Sequence, residues 1–188
     1  SRSAVKTPLL AQALVQEGEG RQFGAQFLLR QEQLGPFFGW VSYSIIRSER
    51  RDHPAADWRP FDYDQTHVLT VVGAFDIGKG WEAGLRFRFA TGFPRTPVVG
   101  SYLESRTAVV EPLFGVHNSL RIPSFYSIDA RLAKHFKLGK TDGEIYLDVQ
   151  NVTNHQNPEE VVYEYNYSRK SYITGLPILP VIGLKWSF

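Results

Sequence analysis

Residues 81–91 read WEAGLRFRFAT. Trp81, Ala83, Leu85, Phe87 and Phe89 occupy alternate places, and Glu82, Gly84, Arg86 and Arg88 stand between them. A period of two belongs to an extended strand, whose successive side chains point to opposite faces. One face here is rings and aliphatic groups, and the other carries two cations. A strand built this way separates two different surroundings.

The same pattern recurs along the chain. Ile145, Leu147 and Val149 alternate with Glu144, Tyr146, Asp148 and Gln150; Tyr126, Ile128, Ala130 and Leu132 alternate with Ser127, Asp129, Arg131 and His135. The last residues, VIGLKWSF, place Ile182, Leu184, Trp186 and Phe188 on one face and Gly183, Lys185 and Ser187 on the other. Noisier versions run through Leu69–Val71–Phe75, Val41–Tyr43–Ile45 and Phe23–Ala25–Phe27–Leu29. The spans expected are about 6–15, 20–31, 37–49, 65–77, 81–91, 124–136, 143–153 and 179–188, roughly eight strands with no convincing helix. The first contains Pro8 and lacks clean alternation.

The connections carry a second regularity. Short ones are expected at about 32–36, 78–80 and 137–142, and long ones at about 50–64, 92–123 and 154–177, in strict alternation. A soluble sandwich has no reason to gather every long loop at one end. A transmembrane barrel does, with tight turns on one side and long external loops on the other. The runs exceed the usual globular strand of about 5–6 residues. Phe37, Trp40, Trp81, Phe136, Trp186 and Phe188 cluster beside short turns, as an aromatic girdle would. The fold expected is all-β, an antiparallel transmembrane β-barrel. Its lumen would be faced chiefly by Arg86, Arg88, Asp129, Arg131, Asp148 and Gln150. Two rival readings stay open. One is a self-contained small outer-membrane barrel with a structural or adhesive role. The other is the solvated face of a soluble β-domain secreted for binding.

Composition narrows the chemistry. The net charge is +2, from 21 basic and 19 acidic residues, with no Lys/Arg block. That is too balanced to suggest a nucleic-acid footprint, and no nucleic-acid partner is expected. Cysteine is absent, so disulfides, thiolate metal sites and Cys nucleophiles are excluded. Methionine is absent too and the chain opens on Ser1, so it is expected to be a processed or cut piece of something longer. No run of about 18 apolar residues offers a membrane helix, whereas a spanning strand needs only about 10 alternating residues.

Several stretches resemble late barrel strands of TonB-dependent outer-membrane receptors: GEGRQFGAQFLLRQ (18–31), FFGWVSYSIIRSERR (37–51), DQTHVLTVVGAF (64–75) and GWEAGLRFRFATGFPRTP (80–97). PSFYSIDARLAKHF (123–136) and EIYLDVQNVTNHQNP (144–158) resemble that family's penultimate hairpin, with Asn151 and Asn154 matching an Asn-x-x-Asn ending. Gly183, Leu184, Trp186 and Phe188 resemble the terminal signal read by barrel-assembly machinery. The resemblance implies a bacterial outer-membrane location and a wall segment of a barrel of about 22 strands. It implies transport of a scarce bulky nutrient: an iron chelate, cobalamin, a glycan or a peptide. Plug and TonB-contacting segment are absent from this stretch, which looks like the C-terminal third of such a receptor. The partners implied are a second chain or N-terminal part supplying plug and remaining strands, TonB indirectly through that plug, and outer-membrane lipid. No cofactor is implied.

Other motifs carry less. His53, His67, His117, His135 and His155 lack metal-ligand spacing, so no metal is expected. No partnered base and nucleophile appears, so no catalytic residue and no enzyme is expected. Asn151-Val-Thr and Asn166-Tyr-Ser match the glycosylation pattern, which has no meaning in a bacterial outer membrane. In YEYNYSRKSY (163–172), Tyr163, Tyr165, Tyr167 and Arg169 are candidate ligand contacts of an external loop, or simply a strand rising above the membrane.

Overall fold

A computed structural model describes residues 17–106, 108–139 and 141–187. In chain order the strands are β1 (Glu19–Leu34), β2 (Phe37–Arg51), β3 (Arg59–Pro60), β4 (His67–Gly78), β5 (Trp81–Ala90), β6 (Pro94–Arg95) and β7 (Val98–Glu104). There follow β8 (Val109–Phe114), β9 (Leu120–Arg121), β10 (Phe125–Leu138), β11 (Thr141–Gln150), β12 (Pro158–Tyr163), β13 (Lys170–Thr174) and β14 (Leu179–Ser187). No helix occurs among the described residues, and the fold is all-β.

Seven long strands pair in the order β1-β2-β4-β5-β10-β11-β14, every neighbour antiparallel. These match seven of the expected spans; the eighth, about 6–15, lies outside the described residues, as does Phe188. The sheet is open: β1 and β14 are its edges, and closure into a barrel is not reached within the described residues. The short turns at Gly35–Pro36, at Lys79–Gly80 and between Leu138 and Thr141 all lie at one end, and the three long connections lie at the other. The turn before β5 needs Gly80. Its φ is +77°, and a Cβ there would stand 2.5 Å from the carbonyl oxygen of His135 in β10, the strand paired with β5.

Register carries the sequence pattern across the whole sheet. Phe27 is opposite Tyr43, Tyr43 opposite Leu69, Leu69 opposite Phe89, and Phe89 opposite Tyr126. Further down, Leu132 is opposite Leu147 and Leu147 opposite Ile182. One face is therefore apolar from edge to edge. Nothing among the described residues covers it: Phe27, Leu85 and Ile182 are 61%, 61% and 76% exposed. Among the described residues the buried hydrophobic side chains are Ile122, Ala133 and the ring of Pro94, and no second layer exists. A water-soluble domain of this size buries far more than that.

Phe37, Trp81, Phe136 and Trp186 stand on this face near the short turns, Phe136 against Trp186 edge-on at 5.8 Å. Trp40 does not. It is opposite Arg30 and Val72, one place off in parity from Val41, and so belongs to the polar face. Nearness to a turn suggested the girdle, but alternation decides the face. Lys134, on the apolar face, sends its ammonium to the Lys79 carbonyl and over the Trp81 ring, as a snorkelling lysine does.

The long connections contain structure the alternation did not reveal. β7 pairs with β8, and β12 with β13. Pro112 interrupts the β8 pattern, and both hairpins are two-sided, so neither shows a clean period.

Gly183 has a packing role. A Cβ there would lie 2.1 Å from Cζ of Tyr146, its cross-strand partner, whose ring also meets the Arg131 guanidinium at 4.0 Å from its centroid. Gly183→Ala is expected to lower stability by about 1–2 kcal/mol, as overpacking does, with recovery in the Gly183→Ala/Tyr146→Ala double variant. Urea unfolding checks this; an unchanged midpoint would mean that the ring moves freely.

Candidate functional site

The opposite face gathers the charged side chains. β5, β10 and β11 bring Arg86, Arg88, Asp129, Arg131, Asp148 and Gln150 onto one side by register: Arg86 opposite Asp129, Arg131 opposite Asp148. Arg86 grips Asp129 through Nε at 2.8 Å and its terminal nitrogen at 2.7 Å. Ser127 Oγ donates to the other Asp129 oxygen at 2.7 Å, and the Asn151 backbone N–H donates to it at 2.9 Å. Arg131 bridges Asp148 at 2.8 Å and Glu144. Arg88 stands 3.7 Å from Asp129, and its Nε is buried without a hydrogen-bond partner among the described residues. Gln150 is exposed beside them and lines the same concavity as Arg86, Asp129, Arg131 and Asp148. An ionic ladder of this density suits contact with water or protein, not hydrocarbon.

Asn151 explains the Asn-x-x-Asn ending. It closes β11 with φ +51°, and Asn154 repeats that conformation at +49°, which asparagine tolerates better than most residues. The Asn151 amide donates to the His155 and Leu176 carbonyls, and Asn154 Oδ1 accepts from the Ile178 N–H. This knot fastens the third long connection to the sheet.

The long connections are clasped to one another. Asp64, 1% exposed, accepts from the Ser48 N–H at 2.6 Å, from Thr66 Oγ1 at 2.9 Å and from Arg121. Arg121 also donates to the Asp64 and Gly92 carbonyls. Asn118 reaches from the second connection to the Pro60 carbonyl and Asp62 in the first. Arg95 holds Glu160 with two bonds of 2.9 and 2.8 Å, joining the second connection to β12. Sequence reasoning missed Asp64, Arg121, Asn118, Arg95 and Glu160. Their pairings span 56 to 65 residues and follow no local spacing.

These carboxylates stay ionised. Burial pushes the Asp64 carboxyl upward, but bonds from Arg121, Ser48 and Thr66 outweigh it and hold the group below its ordinary 3.8. The Arg95 guanidinium holds Glu160 below 4.5. A lowered folded pKa means stability that is present above the ordinary value and lost as pH falls through the folded one. The loop assembly is therefore expected to be tight at neutral pH and to loosen below about pH 4. A spin label at Ser168 should narrow its line shape over that interval, and Glu160→Gln should narrow it at neutral pH already.

The Tyr-rich stretch is the tip of the β12–β13 hairpin. Tyr163 and Tyr167 come together with ring centroids 6.0 Å apart, and the Tyr163 hydroxyl receives the Val98 N–H at 3.4 Å. With Arg95, Glu160, Lys170 and Tyr172 they line a cleft against the β7–β8 hairpin. Tyr165, 75% exposed, and Arg169, 3.9 Å from Glu164, stay outside it. In β14, Leu184 and Trp186 lie on the apolar face, and Gly183 lies on the other beneath Tyr146. Among the described residues no group of three or more His, Asp or Glu side chains comes together as a metal site.

Fold and site define a class: an open antiparallel sheet with one bare apolar face, one ion-paired face and all long loops clasped at one end. Compared with known proteins, the chain matches no family model, no curated protein and no solved structure.

Proposed function

We propose that this chain is a wall segment, with external loops, of a TonB-dependent outer-membrane transporter for a scarce bulky nutrient. The observation that carries the reading is the bare apolar face. Seven strands about 4.8 Å apart give a band roughly 30 Å wide, and Phe23 to Leu29 gives it a height of roughly 20 Å. That is the scale of the apolar band of a membrane barrel, about 25 Å tall, and exceeds most exposed patches of soluble monomers. The apolar face meets lipid, and the Arg86–Asp129 and Arg131–Asp148 ladder faces the lumen. The clasped loops and the Tyr163–Tyr167 cleft lie outside the cell, where nutrient arrives. The iron chelate, cobalamin, glycan or peptide then passes inward when TonB displaces a plug carried by the rest of the assembly. The sequence resemblance supplies the transporter class; the two-faced sheet and its one-sided loops support the membrane part.

Fractionation of cells producing the intact protein tests the reading. The expected result is recovery from the outer membrane in detergent, together with a plug-bearing barrel part, and loss of nutrient uptake when this segment is deleted. Migration alone as a heat-modifiable monomer would favour a small structural or adhesive barrel. Solubility without detergent would overturn the membrane reading altogether.

A further inference from the structure

At the long-loop end of β1 and β2 the alternation continues, but the chemistry of the apolar face changes. Arg21 shares that face with Phe23, Ala25 and Phe27, and Arg47, Glu49 and Arg51 share it with Tyr43 and Ile45. Register sets Arg47 opposite Phe23, Arg21 opposite Glu49, and Arg51 opposite Glu19. Arg21 therefore stands two places beyond Phe23, about 7 Å at the rise of a strand. At the same end β5, β10, β11 and β14 finish this face with Phe89, Tyr126, Val149 and Pro180. Among the long strands, the arginines of this face stand on β1 and β2.

Glu49 is the centre of the group. Its Oε2 accepts from Arg21 at 2.7 and 2.5 Å, and its Oε1 accepts from Nε and a terminal nitrogen of Arg47, both at 3.0 Å. The Glu49 side chain is 9% exposed, whereas those of Arg21 and Arg47 are 48% and 44% exposed. Two cations thus cover one anion, and the guanidinium groups are what the surface presents. The Trp58 ring flanks them, its centroid 4.2 Å from the Arg21 guanidinium and 4.7 Å from that of Arg51. Arg51 and Arg59 are matched by Glu19 and Asp52, so the excess charge rests on Arg21 and Arg47.

One forked arginine satisfies a buried carboxylate. A second brings a charge that Glu49 cannot neutralise, at the level where the apolar face ends. A guanidinium matches phosphate oxygens as it matches carboxylate oxygens, and indole rings settle at the headgroup level of a membrane. We infer that Arg21, Arg47 and Trp58 form an outward-facing site for the phosphate of an outer-leaflet lipid, whose acyl chains lie over Phe23, Phe27 and Ile45. Those three side chains are exposed directly below the arginines. Free phosphate has the charge but no chain to lie against them, so the lipid is the occupant. The inference rests on the membrane reading; failure of that reading shows separately, as solubility without detergent before any lipid is added.

The test takes the intact protein in detergent and titrates it with lipid A, the phosphorylated glycolipid of that leaflet, or with the same lipid stripped of phosphate. Native mass spectrometry counts the bound lipid. The phosphorylated form is expected to bind roughly 10–30-fold more tightly, the preference that two arginines beside lipid phosphate supply. Arg21→Gln/Arg47→Gln/Glu49→Gln removes one net positive charge while keeping polar groups in place, and should abolish the preference. Lys185→Gln removes the same net charge from the opposite face and should leave it intact. p-Benzoylphenylalanine at Trp58 gives a reading that does not depend on the triple variant folding: it should capture the phosphorylated lipid and not the stripped one. Equal binding of both lipids by the unaltered protein overturns the inference, as does equal capture at Trp58. A preference that survives the triple variant, or falls as far in Lys185→Gln, overturns it too. Displacement of the lipid by inorganic phosphate at equal concentration would mark a soluble-anion site and overturn the lipid assignment.

Discussion

Leu85→Arg is expected, on the proposed membrane reading, to lower the stability of the assembled protein by about 2–4 kcal/mol, the cost of a cation at mid-depth in lipid. Leu85 is the middle residue of its strand on the apolar face, opposite Gly73 on one side and Ala130 on the other. With two small neighbours, nothing nearby pairs with a guanidinium. Both rims lie several residues away, so snorkelling is strained. The fraction of assembled protein that resists unfolding in SDS without heating should fall accordingly. A parity control belongs beside it. Phe27→Arg should be costly and Gln26→Arg nearly neutral, although they are adjacent in sequence, because Gln26 is opposite Ser44 on the polar face. Equal effects at 26 and 27 would mean that the two faces meet the same medium.

The second large effect is expected at Asp129. Asp129→Ala removes the acceptor for Arg86, for the Ser127 hydroxyl and for the Asn151 N–H at once. Ser127 and Asn151 are buried, so their donors are left without water. A loss of about 2–4 kcal/mol follows from stranding buried donors and an unpaired cation, moderated because Arg86 is partly exposed. Asp129→Asn keeps an acceptor oxygen and should lose less. Arg86→Met/Asp129→Leu removes both charges and should recover part of the loss. Urea unfolding in vesicles measures all three, and a double variant no better than Asp129→Ala would show that the ion pair is not the source of the cost. Because Asn151 closes β11, Asp129→Ala should also loosen the third long connection.

The sheet was largely legible in the sequence because its signal is local. Trp81–Phe89 and Ile145–Val149 repeat every second residue, and burial of neither face against a second layer disturbs the pattern. The grouping of Arg86, Arg88, Asp129, Arg131, Asp148 and Gln150 followed from parity alone; which cation meets which anion did not. That needed register, because Arg86 and Asp129 are 43 residues apart. The clasps of the long connections were illegible for the same reason, and the β7–β8 hairpin was hidden by Pro112 and its two-sided composition. Trp40 stands beside a short turn yet belongs to the polar face, because alternation and not nearness to a turn decides the face.

The claim on which the rest depends is that alternate residues meet different media. The chain contains no cysteine, so single cysteines can carry a spin label without background. Labels at Leu85, Phe87, Ile182 and Leu184, compared with labels at Arg86, Arg88, Val181 and Lys185, should be read in native membranes with oxygen and with a water-soluble nickel complex. The account predicts preferential oxygen contact at the first set and preferential nickel contact or protein shielding at the second, alternating residue by residue. The same preference at both sets would contradict it.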